Sequence, residues 1–298
     1  MVRHVLKWAG IAMGVVLGLI IVSIAATYAV TSVHMNRQYA RTDSLVIPTD
    51  PVSVARGRHV VEAIGKCAAC HGDDYSDRAV SDDPAFAVLY SANLTVGTGG
   101  IGASYTDADY VRTIRHGVKR DGRPALFMPS EAYAAMSDAD LSSAIGYLKT
   151  LPPVDAVHPA PRIGPIARIL YLAGAFPLLP VERITSEQAS LRTTPPGETV
   201  AYGKYLATAG GCRSCHNYSL SGGAKIEGKV VAANLTPTGL GKWTDADFFK
   251  AIRQGVRPDG GVLSAVMPWP YARRMTDSEL RALWLYLLSV PPKTTGQQ

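Results

Sequence analysis

The chain carries only four cysteines in 298 residues, and none is spare. All fall in two copies of one pentapeptide, Cys67-Ala68-Ala69-Cys70-His71 and Cys212-Arg213-Ser214-Cys215-His216. Any disulfide framework would have to be built from these four alone. Other features are also scarce. The formal charge is +6, yet no arginine-lysine cluster with interleaved aromatics appears, which argues against a nucleic-acid partner. The better reading of that charge is a solvated surface with some bias toward acidic patches. No strand-like alternation recurs in both halves, and no long low-complexity block argues for disorder.

What is present centres on the pentapeptides. Cys-x-x-Cys-His is the attachment signature of c-type haem, in which two thiols bond to the haem vinyls and the histidine faces iron. A thioredoxin-like pair would follow a strand in a βαβ pattern and needs no histidine in fifth place. A zinc site would require the pairs to converge and leaves both histidines unexplained. The reading is therefore two covalently bound haem c groups, held by Cys67, Cys70, Cys212 and Cys215, with His71 and His216 as axial iron ligands.

The N-terminus supplies the one long apolar run. Arg3 and Lys7 precede an uncharged stretch from Trp8 to Val33. As a helix its 26 residues reach about 39 Å, enough to cross a bilayer with tilt. The basic head predicts a cytoplasmic N-terminus over residues 1–7, an anchor over 8–33 and export of everything beyond. A cleaved signal peptide is the competing reading, but its apolar core would be longer than usual.

The halves repeat beyond the cysteines. Val54-Ala55-Arg56-Gly57-Arg58 precedes the first motif and Val200-Ala201-Tyr202-Gly203-Lys204 the second. Ala92-Asn93-Leu94-Thr95 matches Ala233-Asn234-Leu235-Thr236, and Thr106-Asp107-Ala108-Asp109 matches Thr244-Asp245-Ala246-Asp247. Each half closes on a double proline, Pro152-Pro153 and Pro291-Pro292. The repeat predicts one folding unit used twice: a linker over 34–50, a first domain over 51–155, a proline-rich linker over 156–197, a second domain over 198–293 and a tail over 294–298. Thr106 and Thr244 read as N-caps, with Gly117 and Gly255 as helix stops. Leu141, Ala144, Ile145 and Leu148, like Leu280, Leu283, Trp284 and Leu287, form the buried stripe of a closing helix. Prolines and Arg168 within 163–181 argue against a second span, leaving that segment on a membrane surface or between domains.

The second iron ligand must come from elsewhere. Met128-Pro129 and Met267-Pro268 recur in register, as do Met136 and Met275. Met136 and Met275 precede the N-caps Ser137 and Thr276 and face Leu141 and Leu280 as hydrophobic staples, a structural role. Met128 and Met267 have no such role, and proline holds each extended in a loop that can present its thioether to iron. They are the expected second axial ligands. His59 and His116 are the alternatives in the first unit.

These motifs, with Asn234-Leu235-Thr236-Pro237, Trp243-Thr244-Asp245, Met267-Pro268 and Met275-Thr276-Asp277, resemble the membrane-bound multihaem cytochrome c subunits of periplasmic alcohol- and gluconate-type dehydrogenases. The resemblance covers Val52–Pro153 and Val200–Pro292 and is closest in the second unit. It implies an all-α fold of two tandem class I cytochrome c domains behind one transmembrane helix. It also implies an electron-transfer protein, not an enzyme, tethered to the bacterial inner membrane with its haem domains in the periplasm. Single electrons would pass between a periplasmic dehydrogenase subunit and a terminal oxidase or another cytochrome in the respiratory chain. Such subunits usually carry three haem units and a C-terminal anchor, whereas this chain shows two units and an N-terminal apolar run, and Val96 stands where the second unit has Pro237. Competing expectations are a dihaem enzyme of peroxidase or thiosulfate-oxidising type with one open haem, and the cytochrome subunit of a haem-copper oxidase.

Overall fold

The computed structural model describes residues 2–226 and 230–297. The apolar run forms α1 (Val2–Met35), which is long and apolar enough to cross a membrane and is exposed along nearly all its length. From Asn36 the chain is extended but not free. Leu45 and Ile47 pack against the first unit, and Asp43 receives hydrogen bonds from Arg115 (3.1 Å) and from His116 Nε2 (3.0 Å).

The first unit begins with α2 (Pro51–His59), N-capped by Asp50 with proline at the first helical position. It continues through a π-helical turn over Val60–Ile64 into α3 (Ala68–His71). One residue more separates Val54 from Cys67 than separates Val200 from Cys212. The π turn absorbs that extra residue without disturbing the flanking helix. Next come β1 (Ala79–Asp83) and β2 (Ala87–Tyr90), then α4 (Asp107–His116), α5 (Ser130–Tyr133) and α6 (Asp138–Leu148).

The connecting segment holds β3 (Arg162–Ile163), α7 (Pro165–Leu172) and α8 (Ser186–Leu191). The second unit runs through α9 (Val200–Ala209), α10 (Cys212–His216), β4 (Lys225–Ile226), β5 (Val230–Val231), α11 (Pro237–Leu240), α12 (Asp245–Gln254), α13 (Trp269–Ala272) and α14 (Asp277–Ser289).

The helix ends follow local chemistry. Thr106 and Thr244 each form a reciprocal capping box with the aspartate three residues on, and Gly117 and Gly255 stop the helices in the left-handed conformation. Thr276 boxes with Glu279 in the same way. Ser137 caps α6, but its Asp140 carboxylate is drawn to other partners. In each unit the first and last helices cross at glycine. A Cβ on Gly57 would overlap the Ser143 carbonyl, and one on Gly203 the Ala282 carbonyl.

The chain is mostly helical, but the helices are not the whole of it. β1, β2 and β3 form an antiparallel sheet in that order, and β4 and β5 a short hairpin. Alternation did not reveal β2 because Ala87, Val88 and Leu89 are buried in succession, covered on both faces.

The segment 163–181 lies neither free nor between the units. Ile163, Ala167, Leu178, Leu179 and Val181 build a second small core with Ala87, Leu89 and Val118. On its other side Arg168, only 8% exposed, clasps the end of α1. Its guanidinium donates to Thr31 Oγ1 (2.5 Å) and Ser32 Oγ (3.2 Å) and sits 4.2 Å from the centre of the Tyr28 ring.

The main core is continuous through both units, from Val60 and Ile64 to Leu280 and Leu287. The units meet by reciprocal contacts. His59 of the first pairs with Glu279 of the second at 2.8 Å, while Tyr205, the counterpart of His59, donates to Asp140, the counterpart of Glu279, at 2.5 Å. Arg56 bridges them, 2.9 Å from Asp140 and 3.2 Å from Glu279.

Candidate haem sites

The attachment motifs form single helical turns. Placing Cys67, Cys70 and His71 on a turn sets them at the i, i+3 and i+4 positions of one face. No disulfide joins the four cysteines, and burial raises the pKa of each thiol, Cys67 to about 12. Reactive redox thiols are tuned the other way. Among the described residues no three Cys, His, Asp or Glu side chains converge as a metal cluster, which removes the zinc reading.

Each histidine is oriented identically. His71 Nδ1 donates to the Ala92 carbonyl at 2.8 Å and His216 Nδ1 to the Ala233 carbonyl at 2.7 Å. That fixes the tautomer and leaves Nε2 with the free lone pair a metal requires. Burial also lowers the pKa of both rings, favouring the neutral, ligating form.

The carbonyls that hold the rings are themselves held. Asn93, 1% exposed, accepts from Thr95 N–H (2.9 Å) and donates to Val154 O (2.7 Å), just beyond the double proline. Asn234 repeats this with Thr236 N–H (2.9 Å) and Lys293 O (2.8 Å). The recurring Asn-Leu-Thr is thus a clamp joining the histidine support to the end of the closing helix. The repeat exposed these residues in the sequence but not their task.

A cavity of about 440 Å³ opens beside the first motif, lined by Cys67, Cys70, His71, Met128, Tyr133 and other largely apolar side chains. Its wall also holds two buried polar atoms without partners, Tyr110 Oη and His158 Nε2. His158 is stacked on Tyr90 and oriented by Asp77, 3.1 Å from Nδ1. An apolar chamber with thiols and a neutral imidazole at one side and unsatisfied polar groups on its wall fits a haem, whose macrocycle is apolar and whose propionates need such partners. His158 falls within the linker expected over 156–197, and the pairing of β3 with β2 brings that stretch back to the cavity.

The methionines separate by position. Met128 and Met267 lie in loops immediately before α5 and α13, half-buried against the core. Met136 and Met275, 3% and 5% exposed, sit one residue before the caps of α6 and α14. Met136 also touches the cavity wall. His59 and His116, the alternatives in the first unit, are engaged through Nε2 by Glu279 and Asp43.

Comparison with known proteins agrees with this geometry. A family model described as cytochrome C oxidase, cbb3-type, subunit III matches residues 52–148 and again 198–287. The cytochrome c subunit of alcohol dehydrogenase (quinone) from Komagataeibacter europaeus is 29% identical over 282 residues, covering 83% of this chain and 58% of the relative. The fructose dehydrogenase cytochrome subunit of Gluconobacter japonicus is 29% identical over 293 residues, covering 87% and 58%. A diheme cytochrome c-type protein of Cereibacter sphaeroides is 30% identical over 111 residues, covering 32% and 38%. The chain therefore spans well under two thirds of the length of the dehydrogenase subunits it matches. Matched twice over the two segments that carry its motifs, the chain belongs to the family of cytochrome c domains described by the cbb3-type oxidase subunit III model.

Proposed function

We propose that the chain is a membrane-tethered dihaem c-type cytochrome that relays single electrons from the catalytic subunit of a periplasmic dehydrogenase toward the respiratory chain. One observation carries this reading. Both units place a Cys-x-x-Cys-His turn, an imidazole fixed through Nδ1, and a Met-Pro loop in the same order and setting.

Cys67, Cys70, Cys212 and Cys215 would tether the two haems, His71 and His216 ligate iron from one side, and Met128 and Met267 from the other. The haem supplies one-electron chemistry when bound. The protein's residues do the rest. Two side chains for each iron would leave no coordination position for a substrate, which would separate a carrier from a peroxidase-like enzyme. The largely apolar wall would favour the macrocycle over water at the first site, and Tyr110 and His158 would offer hydrogen bonds to its polar edge.

The similarity to alcohol and fructose dehydrogenase cytochrome subunits supports a dehydrogenase as electron donor. α1 would hold the units on the periplasmic face of the inner membrane, with Arg3 and Lys7 inside. Purification of the full-length protein from native membranes, followed by identification of bound subunits and a pyridine haemochrome count, tests the proposal. Two haems per chain and a co-purifying dehydrogenase subunit are expected. A single haem, or a haem-copper oxidase as the bound partner, would overturn it.

A further inference from the structure

Lys66 stands where the segments leading into the two motifs meet. It immediately precedes Cys67 and lines the first cavity, and its ammonium donates to the carbonyls of Ile64 (2.9 Å) and Gly210 (2.6 Å). Gly210 belongs to the second unit, two residues before Cys212. One side chain thus joins the backbone leading into the first motif to the backbone leading into the second. Burial lowers the pKa of Lys66, and the two carbonyls that accept from its ammonium are the partners that hold its charge there.

The surroundings are built for it. A Cβ on Gly210 would come within 3.3 Å of Lys66 Nζ, so glycine there leaves the ammonium its place. Lys66 adopts a left-handed backbone conformation with φ of 52°, and the aligned residue, Gly211, adopts the same with φ of 69°. Glycine takes that conformation without strain, and a lysine does not. Only one of the two equivalent positions bears a side chain, and that side chain reaches across to the other unit.

We propose that Lys66 is a positioning residue shared by both haem sites, locking the two attachment segments together and holding a positive charge between them. A cation beside both sites favours the reduced form of each, because reduction adds an electron near it. This inference rests on the reading of two haems, one per unit.

The test is spectroelectrochemical titration of the full-length holoprotein and its K66M, K66Q and K66R variants, each with a haemochrome count. K66M should lower the equilibrium constant for reduction of both haems by about tenfold, or about 59 mV for one electron. K66Q should lower both although it keeps a hydrogen-bond donor, and K66R, which keeps the charge, should restore most of the loss. If K66M does not accumulate, K66Q and K66R carry the comparison. Unchanged potentials in K66Q with two haems bound, or a change in one haem alone, would overturn the shared role. A wild-type count other than two haems would instead defeat the reading beneath it.

Discussion

Met128 and Met136 differ by eight residues and by what each touches, and the difference can be measured. Both reach the cavity wall, but Met136 is buried in the core before the cap of α6, whereas Met128 is half-buried in a loop. Met128→Leu should abolish the methionine-to-iron charge-transfer band of one haem and Met267→Leu that of the other, leaving the fold intact. Met136→Leu, a near volume-conserving exchange, should cost under about 1.5 kcal/mol and leave both bands in place. A band lost in Met136→Leu and kept in Met128→Leu would reverse the assignment. Asn93 is read in another way. Asn93→Ala would strand the Thr95 N–H and leave the Val154 carbonyl with Thr95 Oγ1 as its side-chain donor, so a loss of about 1–2 kcal/mol is expected in denaturant unfolding. At this scale the sequence showed which residues recur. It could not show that Asn93 clamps a loop 61 positions away, because that contact exists only after the closing helix has returned.

Among the elements, capping chemistry was the most legible. Thr-Asp-Ala-Asp carries its N-cap and its N3 carboxylate in adjacent letters, and both copies form the box. Thr244→Ala should remove the acceptor of Asp247 N–H and cost about 1 kcal/mol, read as a lower urea midpoint at unchanged slope. The helix crossings are less forgiving. Gly57→Ala pushes a methyl into the Ser143 carbonyl, and backbone cannot step aside as a flexible side chain can. A loss of about 3 kcal/mol or more, with reduced haem incorporation, is the expected outcome, checked by yield of holoprotein and thermal unfolding. The π turn over Val60–Ile64 and the sheet of β1–β3 were not legible. The first is a one-residue discrepancy that any helix pattern tolerates, and the second depends on Arg162 and Ile163 pairing with a strand more than seventy residues earlier.

For the whole molecule, the joint between the units was the least legible feature, since Arg56, His59, Asp140, Tyr202, Tyr205 and Glu279 come from four separate helices. Burial alone would raise the pKa of Glu279, but hydrogen bonds from His59 and from the Thr276 N–H, together with the charge of Arg56, bring it below the ordinary value. A carboxylate lowered in the folded state contributes stability above its unfolded pKa and loses it as pH falls through the folded one. Thermal midpoints of the wild type should therefore drop below about pH 4.3, where an ordinary glutamate is half protonated and Glu279 in the fold is still charged. Glu279→Gln should flatten that drop. At neutral pH it should cost on the order of 2 kcal/mol, less than for a fully enclosed pair because Arg56 is one-third exposed. An identical acid profile in both proteins would place the sensitive group elsewhere.

The same joint decides which halves can marry. Two copies of the first unit brought together in this manner would set Arg56 against Arg56 and His59 against Asp140, whereas two copies of the second would set Tyr202 against Tyr202 and lack any cation to neutralise Glu279. Only the mixed pairing supplies one arginine for two carboxylates. A duplicated module that had kept identical faces could trade partners freely among neighbouring molecules. In this chain the two faces have diverged, so that a single arginine, Arg56, serves a carboxylate from each half.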